Sequence, residues 1–318
     1  MRKFTTKLLL CCLLVCSLFA SQPETAKADT INGIQPILPV QYQKLLGKGM
    51  DVDWSKTKKG QETFHKTIVK DFKNAGINHV RIRVKDNVSQ DLFYHLDEQI
   101  RACLEAGIIP IIAYQANGFK NSASDEDMDK VVEWWSAVAE HYKNESYLLS
   151  FDMMIECTDA LNKQPDKLNE LYEKVVTAIR QTNPTRILMM SPRVRSDAQY
   201  LSELKVPTQA NGYMMAEWHF YASGPSKENE RKLWTTGTEK EKNLIRNKIQ
   251  LALEWQKKTG IPTWVGAWMA GNYNDGDDYS VKEQVIFAHF MVSELKKAGI
   301  PFRSEERRVG KECRSRWS

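Results

Sequence analysis

The stretches "FKNAGINHVRIRV" (72–84) and "CLEAGIIPIIAY" (103–114) share one grammar. A helix-period segment ends in a small residue and a glycine, an isoleucine follows, and then a short apolar run. "QKKTGIPTWVG" (256–266) and "LKKAGIPF" (295–302) repeat it. Gly76, Gly107, Gly260 and Gly299 stand where a helix ends in a left-handed residue. Apolar runs of this length suit buried parallel strands, and helix, tight turn and strand in alternation is the α/β signature.

Working outward from these repeats gives seven strands: 49–54, 79–84, 109–114, 149–156, 186–191, 213–221 and 262–268. An eighth starts at Ile300. Between them lie amphipathic helices, one opening at Ser124 with acids in its first turn. The alternation fits a (β/α)8 TIM barrel, cut off at the start of strand eight. No Gly-rich phosphate loop follows the first strand, which argues against a doubly wound nucleotide-binding sheet. No cofactor is expected.

The two ends read differently from the body. Residues 1–28 carry a basic start (Arg2, Lys3, Lys7), an apolar run Leu8–Ala20 and a small-x-small Ala26-Lys27-Ala28 site. That is a secretory signal peptide, too short to span a bilayer, so a secreted, extracellular protein cleaved after Ala28 is expected. Residues 303–318, "RSEERRVGKECRSRWS", have no apolar period. They reverse-translate in frame to a common sequencing-adapter sequence and are expected to be foreign to the barrel, which then occupies 29–302. The net charge of +5 comprises +3 from residues 1–28 and +3 from 303–318, leaving −1 over the body. The basic balance is therefore no argument for nucleic acid, and no later segment suggests a membrane. Only Cys103 and Cys157 fall within the body, room for one disulfide at most.

In such a barrel, chemistry sits where strands end. The polar residues there are Asp51, Asp53, Arg83, Lys85, Tyr114, Gln115, Asn117, Glu156, Asp159, Arg193, Arg195, Glu217, His219, Tyr221, Trp268, Asn272 and Tyr273. Acids, amides and aromatics around one mouth suit a sugar. No spacing suggests a metal site, and there is no nucleophile-elbow serine motif.

"VRI" (80–82), "FDMMIE" (151–156), "HFY" (219–221) and "VGAW" (265–268), in that order, together resemble glycoside hydrolase family 5, the cellulase-like barrels. "LNELYEKVVTAIRQTNPTRILMMS" (168–191) is similar to that family's stretch between strands four and five. The resemblance covers about residues 45–302. It implies a retaining mechanism with two glutamates, their carboxyl groups roughly 5–5.5 Å apart. Position by position, Glu156 matches the acid/base, Arg81 the arginine that orients the nucleophile, and His219 and Tyr221 the active-site His-x-Tyr pair. Three positions depart: Ile155 stands for the asparagine before the acid/base, Tyr114-Gln115 for a histidine pair, and Ala267 for the nucleophile.

Three accounts of Ala267 are open: an error in the sequence, a hydrolase using another carboxylate, or a carbohydrate-binding barrel without turnover. Glu217 shares a strand face with His219 and Tyr221 by period-two alternation. It is the candidate replacement carboxylate, against a buried ion pair with Arg81 or Arg83. The favoured expectation is a polysaccharide hydrolase with Glu156 and Glu217 as catalytic carboxylates. Arg81, Tyr114, Gln115, His219, Tyr221 and Trp268 would bind substrate, with Trp268 as a sugar platform. The alternative is a lectin-like binder. The protein is expected to act as a monomer on poly- or oligosaccharide.

Overall fold

The computed structural model describes residues 35–221, 233–270 and 279–304. The signal peptide lies outside them, as do Asn272, Tyr273, the acidic run Asp275–Asp278 and residues 305–318. Eight parallel strands close into a barrel in sequence order: β1 (Lys48–Val52), β2 (His79–Val84), β3 (Ile109–Tyr114), β4 (Ser150–Asp152), β5 (Leu188–Met190), β6 (Met214–Tyr221), β7 (Thr263–Met269) and β8 (Phe302–Ser304). The early helices are α1 (Pro39–Leu46), α2 (Lys58–Thr63), α3 (Lys66–Asn74), α4 (Gln90–Glu105), α5 (Asn117–Ser122) and α6 (Asp125–His141). Later come α7 (Pro165–Arg180), the single turn α8 (Arg193–Ser196), α9 (Glu239–Thr259) and α10 (Val281–Ala298).

Local chemistry sets the element ends. Ser89, Ser124, Thr238 and Ser280 cap α4, α6, α9 and α10 by accepting a backbone N–H, and the last two complete capping boxes with Glu241 and Glu283. Gly76, Gly107, Gly260 and Gly299 take the left-handed φ that the sequence grammar requires. Among the described residues no helix is long and apolar enough to cross a membrane. Cys103 and Cys157 are both buried and free.

The inward faces stack in layers. At the base, α1 plugs the barrel: Tyr42 and Leu46 pack with Ile109, Ile111, Ile187, Met189, Met215 and Trp264. The Tyr42 hydroxyl donates to the Leu148 carbonyl at 2.8 Å. Above this apolar floor lies a buried charged layer of Asp51, Arg81, Asp152, Glu217 and Arg303. The main apolar core fills the shell between strands and helices.

Strand eight begins where the sequence places it and is described as far as Ser304. Phe302–Ser304 pairs with both β7 and β1, so eight strands close the barrel and Arg303 lies fully buried inside it. Arg303 forms an ion pair with Asp51, yet none of its three guanidinium nitrogens is aligned for a hydrogen bond. Burial, with the Arg81 charge beside it, pulls its pKa below the ordinary arginine value. Arg186, also buried, is the contrast: its guanidinium donates to Asn183 Oδ1 and to the carbonyls of Ser146, Leu149, Tyr142 and Glu145. A buried cation with unmatched donors costs stability. Asp51 keeps Arg81 and Arg83 as partners without Arg303. Arg303→Met is therefore expected to stabilise the fold by about 1–3 kcal/mol, read as a higher urea midpoint at unchanged slope.

Candidate functional site

The site is built mainly by β2, β4, β6 and β7. Period-two alternation sends Glu217, His219 and Tyr221 of β6 inward, while Trp218 and Phe220 join the helix-facing core. On β7 the pairing runs Trp218↔Val265 and then His219↔Ala267, so Gly266 is an extra, bulged residue. Gly266 has to be glycine here, because a Cβ would lie 2.3 Å from the Glu217 carboxyl carbon. The bulge also resets the face of the strand. Ala267 and Met269 pack with Tyr221 inside, and Trp268 turns outward.

Glu217 is fully buried. Arg81 Nη1 donates to its Oε1 at 2.7 Å and to Asp152 Oδ2 at 2.8 Å, while Arg81 Nε donates to Asp51 Oδ1 at 3.0 Å. The His219 ring completes the cluster, with Nε2 on Glu217 Oε1 and Nδ1 3.1 Å from Glu156 Oε1. An imidazole with a carboxylate at each nitrogen donates to both only when doubly protonated. Burial alone would lower the His219 pKa, but the Glu217 charge and the hydrogen bond to Glu156 hold it above the ordinary histidine value. Burial pushes Glu217 up, and Arg81 and His219 outweigh that to hold it at about 2. Asp152 goes the other way: burial and the Glu217 charge push it well above the carboxylate range. The shared Arg81 and mutual repulsion thus push the two carboxyl groups apart, Glu217 down and Asp152 up.

Glu156 follows β4 in a left-handed conformation, φ 51°, and its side chain is 12% exposed. The residue before it is pinned on both sides: Ile155 N–H donates to the Tyr114 carbonyl at 2.9 Å, and Lys120 Nζ of α5 donates to the Ile155 carbonyl at 2.9 Å. Tyr221 Oη donates to Glu156 Oε1 at 3.1 Å, and Arg195 Nη1 stands 3.7 Å from Oε2. Burial draws the Lys120 pKa down to about 8 against the pull of Glu156. After β5, Val194, Arg195 and Ser196 are three consecutive left-handed residues, φ 56°, 55° and 61°. Each such non-glycine residue costs about 1–3 kcal/mol, and strain of this kind gathers at functional sites.

Of the sequence candidates, the structure therefore joins Glu156, Glu217, His219, Tyr221 and Arg81 in one network. Arg81 serves Glu217 and the buried acids. Two candidates lie elsewhere. Tyr114 faces the helix layer, its ring stacked on Trp134 of α6 at 4.1 Å, because Ile109 and Ile111 already occupy the inward face of β3. Trp268 is buried on the helix side, packed against Phe287 of α10 and Phe302 of β8 at 6.1 and 6.3 Å. Gln115 follows β3, half-buried, with its N–H on the Val84 carbonyl. Lys120 and Asp152 were not candidates. Asp152 interrupts an apolar strand, a usable signal; Lys120 sits on a short helix with no pattern to mark it. Among the described residues no group of three or more His, Cys, Asp or Glu is placed to hold a metal ion.

The family profile described as Cellulase (glycosyl hydrolase family 5) matches residues 40–302. The chain belongs to glycosyl hydrolase family 5. It is similar to endoglucanase H of Acetivibrio thermocellus, 23% identical over 215 residues, which are 64% of this chain and 23% of that protein. A beta-xylosidase of Phanerodontia chrysosporium is 21% identical over 221 residues, 61% of this chain and 45% of that protein. The chain thus spans under half the length of either curated relative. Among solved structures, Thermotoga maritima Cel5A in complex with cellobiose superposes with a TM-score of 0.75 at 21% identity, covering 86% of this chain and 93% of that one. The cellulose synthase subunit Z of Clostridioides difficile gives 0.71 at 18%, covering 83% and 93%.

Proposed function

We propose that this family 5 protein is secreted and engages a β-linked polysaccharide at the C-terminal mouth of the barrel, with Glu156 as the carboxylate that meets the sugar. The observation that carries this reading is the asymmetry of the two glutamates. Glu156 reaches the solvent, whereas Glu217 is fully buried and held by Arg81 and His219. A retaining glycosidase needs two carboxyl groups on one sugar, and a single acid/base supplies only ~10²–10⁴-fold. Binding without ordinary turnover is the reading this geometry favours. One observation favours the second reading, a divergent hydrolase: His219 links Glu217 directly to Glu156, so the deeper carboxylate can influence the outer one.

The test pairs binding with turnover on a polysaccharide panel, measuring retention on insoluble glucan and release of reducing ends. The natural chain is expected to be retained without release above the uncatalysed background. Glu156→Gln, shown to be folded, is expected to weaken retention at least about fivefold, the loss of one charge-assisted hydrogen bond to a hydroxyl. Release abolished by both Glu156→Gln and Glu217→Gln establishes the hydrolase instead. No change in either property with Glu156→Gln removes Glu156 from the site.

A further inference from the structure

We propose that this mouth takes an acidic glycan, with Arg195 as the residue that pairs with a uronate carboxylate of the bound chain. The inference rests on the glycan reading above and narrows its substrate class. Among the described residues around Glu156, the cations are Lys120, Arg195 and the His219 imidazolium, and the anions are Glu156 and Asp159. Glu217 is already matched by Arg81. Among these described residues positive groups outnumber negative by one, and position 267, from which the family aims a second carboxylate, is alanine. A carboxylate brought by the ligand restores the balance.

The two arginines of the β5 loop differ in a way that singles out Arg195. Arg193 is committed: Nε and Nη2 both donate to Glu203, and its guanidinium lies 3.9 Å over the Tyr200 ring. The Arg195 side chain is 39% exposed, and its guanidinium makes no hydrogen bond to any described residue. At 3.7 Å from Glu156 Oε2 it is held near the site, and no described residue engages its donor fork in a hydrogen bond. The strained turn that places it is tied down by its own contacts. Val194 N–H donates to Asn162 Oδ1 at 2.8 Å, Arg195 N–H donates to the Cys157 carbonyl at 2.9 Å, and Lys248 pairs with Asp197. A guanidinium fork matches a planar carboxylate through two parallel hydrogen bonds, which a neutral hydroxymethyl group cannot offer.

The experiment compares two tetrasaccharides by calorimetric titration of the full chain: cellotetraose, and its counterpart with every C6 oxidised to a carboxylate. At 50 mM salt the uronate form is expected to bind at least about tenfold more tightly, and the preference should shrink as salt rises. Arg195→Gln is expected to bring the ratio of the two affinities to about one, and Arg195→Lys to leave it in between. The ratio is the readout because a loss of fold weakens both ligands together. Equal binding of both by the natural chain, or a preference that survives Arg195→Gln, overturns the uronate assignment while leaving the glycan reading intact. Binding of neither overturns both.

Discussion

Ala267→Glu is expected to convert the chain into a retaining glycosidase, with release of reducing ends from a β-1,4-glucan rising at least about 10²-fold. Position 267 is the inward residue that follows the Gly266 bulge, and it packs with Tyr221 and Met269 inside the barrel. A carboxylate there would share the mouth with Glu156, whose Oε1 already accepts from Tyr221 and His219. The positive groups Lys120, Arg195 and His219 around Glu156 favour the added anion in its ionised, nucleophilic form. A retaining route passes through a covalent glycosyl-enzyme. The decisive measurement is therefore the intact mass after exposure to a 2-fluoro glycosyl fluoride that slows breakdown of that intermediate. One glycosyl increment on Ala267→Glu, absent from the natural chain and from Ala267→Gln, is the expected result. Trapping is a single turnover, so slow hydrolysis does not obscure it. A folded Ala267→Glu that neither labels nor gains release would mean that strand seven no longer aims position 267 at the anomeric carbon.

The barrel was legible in the sequence because its determinants are local. Four helices, α3, α4, α9 and α10, run into a left-handed glycine, and the strands are largely apolar runs, as strands covered by helices are. Glu217, His219 and Tyr221 were placed on one face by simple alternation, but that pattern left Glu217 open between a catalytic role and a buried ion pair with Arg81 or Arg83; the structure pairs it with Arg81. Trp268 marks where alternation alone stops: one bulged residue, Gly266, turns Ala267 inward and Trp268 to the helix side. A bulge is a property of the pairing between two strands, and a single strand's pattern does not carry it. Tyr114 shows a different limit. A residue at a strand end faces either the mouth or the helix shell, and its type fits both; the stack on Trp134 settles it. Lys120 and the left-handed run Val194–Ser196 act through tertiary contacts with Ile155, Cys157 and Asn162, for which the sequence holds no spacing rule.

Arg81→Met is expected to destabilise the protein by about 3–5 kcal/mol at pH 7, the scale for removing one member of a buried ionic cluster. Arg81 donates to Asp51, Asp152 and Glu217. Without it Asp51 keeps Arg83 and Arg303, and Glu217 keeps His219. Asp152 and Glu217 lose the cation that lets two carboxyl groups share one buried space. The pH dependence identifies the cause. Glu217 in the natural chain is held at about 2, below the ordinary glutamate value of about 4.3. A depressed carboxylate contributes stability that is present above the unfolded value and is lost as pH falls through the folded one. Removing Arg81 raises the folded value, so the natural chain's advantage over Arg81→Met is largest at neutral pH and shrinks below about pH 4. Asp152 has the opposite sign, because a raised carboxyl contributes stability that is fully present below its unfolded value and is lost as pH rises from there through its folded one. It is strained at pH 7 in both proteins, and more so in the variant. Urea midpoints at pH 7 and at pH 3.5 measure the difference. A loss under about 1 kcal/mol at pH 7, or one equally large at pH 3.5, would show that Arg81 fills space in the barrel without being required to neutralise it.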